Sequence, residues 1–297
     1  MRGAAYDKIP LKTRKSYKKI APPYGMIFLA EKINREKTAG REIHMARKIV
    51  VTSGKGGVGK TTTTHNLGVF LARKGKRVLL VDLDAQGNLS DACGLEPQKI
   101  EKTVFDVLSG ALSIAEARRP LEDKLALLPA NIRLAEAEMA FAGRIGRENL
   151  LKKALVSVAA NYDYILLDCP PSLGLITVNA LNAANGLLIP VQVEYYALAG
   201  LALIRQTVSM VRELNPGLAI LGLVLTFFDS RKTLNKDVAA ALSDEWGEAI
   251  FSSRIRDNVS LAEAPSNGQD VYRYRKNSYG AKDYAALAEE FLKRTEG

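Results

Sequence analysis

Four of the eight residues from Gly54 to Thr61 are glycine: Gly54-Lys55-Gly56-Gly57-Val58-Gly59-Lys60-Thr61. The spacing is G-x-x-x-x-G-K-[ST]. Glycine lets a backbone curl tightly enough for successive N–H groups to point at one anion. A helix that starts at the end of the loop adds its positive N-terminus to the same point. The motif therefore needs a buried strand before it and a helix after it. Both are present in the sequence. Lys48–Ser53 (KIVVTS) reads as a buried strand, and Thr61–Arg73 carries Leu67, Phe70 and Leu71 at helical spacing. The pattern is that of a triphosphate cradle formed by Gly56, Gly57, Val58 and Gly59. Lys60 reaches the β- and γ-phosphates, the Thr61 hydroxyl ligates Mg²⁺, and Thr62 donates to a more distal phosphate oxygen.

Further apolar runs follow at Arg77–Leu83, Leu125–Leu128, Tyr164–Asp168, Gly186–Val191 and Ile220–Thr226, with Phe251 ending another. Helical stretches separate them, the longest over Leu198–Leu214, and a last amphipathic helix covers Ala281–Arg294. Strands without polar alternation, separated by helices, form a parallel sheet covered on both faces. The fold class is α/β: a P-loop NTPase with a doubly wound, mostly parallel sheet and helices on both faces. At 47% apolar and 25% charged residues, the chain is neither disordered nor fibrous. No run of eighteen apolar residues is present, so no membrane-spanning helix is expected. Two cysteines, Cys93 and Cys169, are too few for a disulfide scaffold and suit a reducing cytoplasm.

Acidic residues fall at the carboxyl ends of these strands, the edge at which ligands bind in such sheets. Asp168 closes Ile165-Leu166-Leu167-Asp168, the form of an aspartate that holds Mg²⁺ through water. Asp82 and Asp84 lie in Val81-Asp82-Leu83-Asp84-Ala85-Gln86-Gly87-Asn88, where a carboxylate can orient an attacking water.

The net charge of +10 is uneven. Residues 1–44 hold 11 Lys/Arg against 4 Asp/Glu, a net +7, whereas residues 45–297 carry a net +3. A basic segment attracts nucleic acid or anionic membrane, or is simply a solvated tail. Residues 1–44 read as a basic N-terminal extension, either dispensable or the product of an upstream start codon. Residues 45–297 read as one domain.

Several blocks together resemble a known family. Lys55-Gly-Gly-Val-Gly-Lys60-Thr-Thr resembles the deviant Walker A motif of the ParA/MinD ATPases. Three blocks are similar to the ParA/Soj partition branch: Asp82–Asn88, Asp168-Cys-Pro-Pro-Ser172-Leu-Gly174, and Pro190 to Gly200. Leu261-Ala-Glu-Ala-Pro265-Ser-Asn-Gly268 is similar to the family's C-terminal block. The resemblance implies a Mg²⁺-dependent ATPase that forms an ATP-dependent homodimer. Lys55 would cross to the ATP of the partner subunit, much as an arginine finger does. Asp84 would position water, and Pro265 would lie near the adenine. Hydrolysis would release the dimer, coupling ATP state to DNA affinity.

The resemblance further implies non-specific double-stranded DNA binding through phosphates, a ParB-like partner protein, and a cytoplasmic, nucleoid-associated location. The candidate phosphate contacts are Arg231, Arg254, Arg256, Arg273, Arg275 and Lys276, with Lys232, Lys236 and Lys282 beside them. The chain departs from the family at Asp257 and Ser260, where arginines are usual. Three other functions share the fold. A MinD-like ATPase cycles on membranes through an amphipathic C-terminal helix, and a relative that positions a non-chromosomal cargo keeps the same catalytic residues. An iron–sulfur reductase would need Cys93 and Cys169 as cluster ligands.

Overall fold

In the computed structural model, residues 45–194 and 197–296 are described, together with the backbone pairing of Lys37–Thr38 with Arg41–Glu42. The remainder of the basic extension, and Tyr195 and Tyr196 of the Pro190–Gly200 block, lie outside the described residues. Seven strands form one sheet: β1 Arg47–Val51, β2 Val78–Asp82, β3 Arg119–Glu122, β4 Leu125–Leu128, β5 Tyr164–Asp168, β6 Gly186–Gln192 and β7 Ala219–Thr226. Their order across the sheet is β3-β4-β2-β5-β1-β6-β7, and every neighbouring pair is parallel except β3 with β4.

The apolar runs become strands because they are buried on both sides. Alternate residues of each strand enter one of two cores. Val50, Leu79, Val81, Ile165, Leu167, Leu187 and Ile189 face one side, where they meet Leu181, Leu201, Ile204 and Val208 from the helices Leu175–Ala183 and Ala197–Val211. Ile49, Val51, Leu80, Leu127, Leu166 and Leu188 face the other. There they meet Leu67, Phe70 and Leu71 of the helix Lys60–Arg73 and Tyr284, Leu287 and Phe291 of the helix Tyr279–Glu296. The three residues picked out by helical spacing are thus core residues.

Two elements differ from expectation. β3 (Arg-Pro-Leu-Glu) is an edge strand with Arg119 and Pro120 exposed, so it lacks the apolar signature of a central strand. The segment ending at Phe251 forms no strand. It touches the sheet through a single bridge between Leu223 and Ile250, and the Phe251 N–H donates to the Leu223 carbonyl at 2.8 Å.

A triphosphate cradle at the carboxyl edge of the sheet

β1 is central, and the loop that leaves it carries the glycine motif to the carboxyl edge of the sheet. Gly57 and Gly59 have φ of +73° and +88°, the left-handed region that a side chain disfavours. Gly54 is required for a different reason. A Cβ there would sit 2.6 Å from the carbonyl oxygen of Gly200, at the start of the helix packed against the loop. Gly59 caps the helix Lys60–Arg73 without any side-chain bond, so the first N–H groups remain directed at the loop. The Thr226 hydroxyl, from the end of β7, donates to the Val58 carbonyl at 2.9 Å and pins the loop from below.

Above this loop opens a cavity of about 880 Å³, ample for a nucleoside triphosphate. Gly56, Gly57, Gly59, Lys60, Thr61 and Thr62 line it, as do Asp84 and Pro265. Val58 is buried beneath the loop. Lys60 folds back over the loop and its ammonium donates to the Lys55 carbonyl at 3.0 Å. Burial, above all, lowers its proton affinity below that of an ordinary lysine, while Asp168 and Asp84 pull the other way. The buried cation is thus held ready for an anion.

Asp168 ends β5 directly opposite Asp82 of β2 in the parallel register. Both carboxylates are fully buried. Asp168 accepts from the Thr61 hydroxyl at 2.7 Å and the Thr64 hydroxyl at 3.1 Å. Burial first, and the Asp82 charge second, raise its pKa above the usual carboxylate range. Burial likewise raises that of Asp82, against hydrogen bonds from Ser90 and the Asp84 N–H. Two buried carboxylates facing one buried lysine leave the site short of positive charge, which a divalent cation would supply. The oxygen donors suit Mg²⁺, which takes few protein ligands and fills its shell with water and phosphate oxygens. Thr61 can ligate it directly and Asp168 through water.

Of the two aspartates at the end of β2 and just beyond it, only Asp84 lines the cavity. Asp82 lies below, with Ser90 donating to it at 2.7 Å through the hydroxyl and 2.9 Å through the N–H. It fixes the loop that presents Asp84. Thr64, Ser90 and Thr226 were not among the residues expected from sequence. Thr64 alone had a visible signal, as the last of four threonines one helical turn after Thr61.

Lys55 does not line this cavity. Its exposed side chain turns the other way and pairs with Glu194, just past β6. The candidate DNA contacts separate into two groups. Arg231 is paired with Asp229 at 2.9 Å, Arg273 with Glu122 at 2.9 Å, and Arg256 forks onto buried Asp283, its Nε 3.0 Å from Oδ2. Arg254, Lys276 and Arg275 instead lie over the rings of Phe228, Tyr272 and Tyr274, at 4.3, 5.3 and 6.0 Å from their centroids. Cys169 is buried under the cavity, and burial raises its thiol pKa, the reverse of what a cluster ligand needs. Among the described residues no group of three or more His, Cys, Asp or Glu is placed to hold a metal ion.

Comparison with known proteins agrees with this geometry. Residues 46–220 match the family model described as an AAA domain. The chain is 45% identical over 248 residues to the sporulation initiation inhibitor protein Soj of Bacillus subtilis, covering 83% of this chain and 98% of that protein. A cobyrinic acid a,c-diamide synthase structure from Mycobacterium smegmatis, with bound ATP analogue and magnesium, superposes with a TM-score of 0.75 at 36% identity, covering 85% of this chain and 96% of that one. A putative plasmid partition protein of Borrelia burgdorferi bound to AMPPNP gives a TM-score of 0.70 at 27% identity, over 84% and 99% of the two chains. The 45% identity to Soj over nearly the whole of that protein, on a fold whose glycine loop opens onto this cavity, places the chain in the ParA/Soj family of P-loop ATPases, which hydrolyse ATP with Mg²⁺.

Proposed function

We propose that this protein is a partition ATPase in which MgATP joins two copies, the joined pair holds DNA, and hydrolysis releases both. The observation that carries the reading is the placement of Lys55. A cation in a phosphate loop that does not line its own cavity supports a role at a neighbour's. In the free chain Glu194 neutralises it. Opposite a second copy, it would add positive charge where charge spreads over the transferring phosphoryl group. Lys60 and the N–H groups of residues 56–59 would hold the triphosphate, and Thr61 and Asp168 the Mg²⁺. Asp84 would orient the attacking water.

The likeness to a plasmid partition protein of Borrelia burgdorferi supports DNA as the cargo track. Arg254, Arg275 and Lys276, stacked on rings rather than tied to carboxylates, keep their N–H groups available for phosphates. Arg231, Arg256 and Arg273 would have to give up carboxylates first. A ParB-like partner would accelerate turnover, and the protein would sit on the nucleoid. The C-terminal helix argues against a MinD-like membrane cycle: its apolar residues Tyr284, Leu287, Ala288 and Phe291 are spent in the core. No helix among the described residues is long and apolar enough to cross a membrane.

Binding to a random-sequence duplex, with and without ATP at two salt concentrations, tests the reading. Affinity should require ATP and fall steeply with salt. Arg254→Ala and Lys276→Ala should each reduce the slope of log K against log salt by about one unit, uniformly across sequences. ATP-independent affinity, or slopes unchanged in both variants, would count against it.

A further inference from the structure

The segment that follows Asp168 forms one wall of the cavity. Pro170, Pro171, Ser172 and Gly174 line it, and the chain then enters the helix Leu175–Ala183. This wall lies beside the phosphate loop and the Asp84 loop. The Pro171 Cβ is 4.0 Å from the position a Cβ on Gly56 would take, and the Leu83 N–H donates to the Asp168 carbonyl at 2.9 Å. Its own sequence is poorly suited to hold it there. Pro170 and Pro171 bring no backbone N–H. Gly174 caps the helix without a side chain to accept from the first N–H groups, and the first turn carries no acidic residue.

A residue from elsewhere supplies what is missing. Glu138, 37 residues before Leu175, accepts from the Leu175 N–H at 3.0 Å and lines the same cavity. Its carboxylate also meets the positive end of that helix. Glu138 is itself well seated. It belongs to the short helix Ala137–Ala140, where Ala137 is buried. The turn before that helix is anchored by buried Leu134 and by Asn131, which accepts from the Arg133 N–H at 3.1 Å and donates to the Ile100 carbonyl at 2.9 Å. A Cβ on Gly174 would collide with the Glu138 carboxylate, so the glycine makes room for this contact. We propose that Glu138 is a positioning residue for ATP hydrolysis, fixing the Pro170–Gly174 wall against the phosphate end of the cavity. The inference rests on the reading of this cavity as the ATP site. Without Glu138 the glycine loop, Lys60 and Thr61 are untouched, so nucleotide still binds. What is lost is the alignment of the wall, and of the adjoining Asp168 and Asp84, around the reacting phosphate, where a small displacement lowers the rate.

The experiment measures steady-state ATP hydrolysis by the full chain, with an AMPPNP titration and a melting curve for each variant. Glu138→Ala should lower kcat about tenfold or more while the Kd for AMPPNP stays within about threefold of wild type. Glu138→Gln keeps an oxygen to accept from the Leu175 N–H and should recover most of the rate. Gly174→Ala displaces the carboxylate while leaving Glu138 in the chain, and should lower kcat likewise. The double variant Glu138→Ala/Gly174→Ala should be no slower than the slower single variant, because both changes remove one contact. A kcat within about twofold of wild type in Glu138→Ala would overturn the proposal. So would losses that multiply in the double variant, a Glu138→Gln protein as slow as Glu138→Ala, or AMPPNP affinity that falls as far as kcat. Wild-type protein that bound AMPPNP no better than Lys60→Ala would instead overturn the ATP-site reading itself.

Discussion

Lys60→Ala should raise the Kd for ATP about thirtyfold or more. Lys60 is buried at the base of the cavity, and among the described residues its ammonium has only the Lys55 carbonyl as hydrogen-bond partner. A charge already stripped of water gains more from an incoming phosphate than a solvated one does, and losing one partner of such a pair costs about 2–5 kcal/mol. At about 1.4 kcal/mol per tenfold, that corresponds to a loss of one and a half to three and a half decades. The change also removes the buried cation that faces Asp168, so some loss of stability is expected beside the loss of affinity. Equilibrium titration with a fluorescent ATP analogue, next to a melting curve, separates the two effects. Wild-type affinity in a folded variant would remove Lys60 from the phosphate site.

Asp84→Ala should have the opposite profile, with ATP affinity within a few-fold of wild type and turnover reduced about 10²- to 10⁴-fold. Asp84 lines the cavity, and one of its oxygens accepts from the Gln86 N–H at 3.0 Å. The other is available to a water. Asp82 cannot take this role, because it is fully buried beneath the loop and committed to Ser90 and the Asp84 N–H. Single-turnover hydrolysis measured beside ATP binding decides the matter. Normal turnover in Asp84→Ala would assign the water to another group.

Much of this site could be read from the sequence because it is local. The glycine loop, its lysine and its threonine lie within eight residues, and the strands around them are unbroken apolar runs. Asp168 was legible because an aspartate at the end of a buried strand is conspicuous. Other features arise from contacts between distant parts of the chain. Nothing near Lys55 announces Glu194, and nothing near Arg256 or Arg273 announces Asp283 or Glu122. The resemblance offered six candidate phosphate contacts, but it could not show that half of them already hold carboxylates. β3 escaped because an exposed, proline-bearing edge strand has no core to fill. Glu138 escaped because its partner, the Leu175 N–H, lies 37 residues away in the chain.

The pairing of two copies through Lys55 is tested most directly by sedimentation velocity on the Asp84→Ala protein with Mg²⁺, with and without ATP. ATP should convert the monomer to a species of twice its mass, and a further Lys55→Ala change should abolish that species while ATP still binds. A protein that saturates with ATP yet sediments as a monomer, or a dimer indifferent to Lys55, would contradict the account.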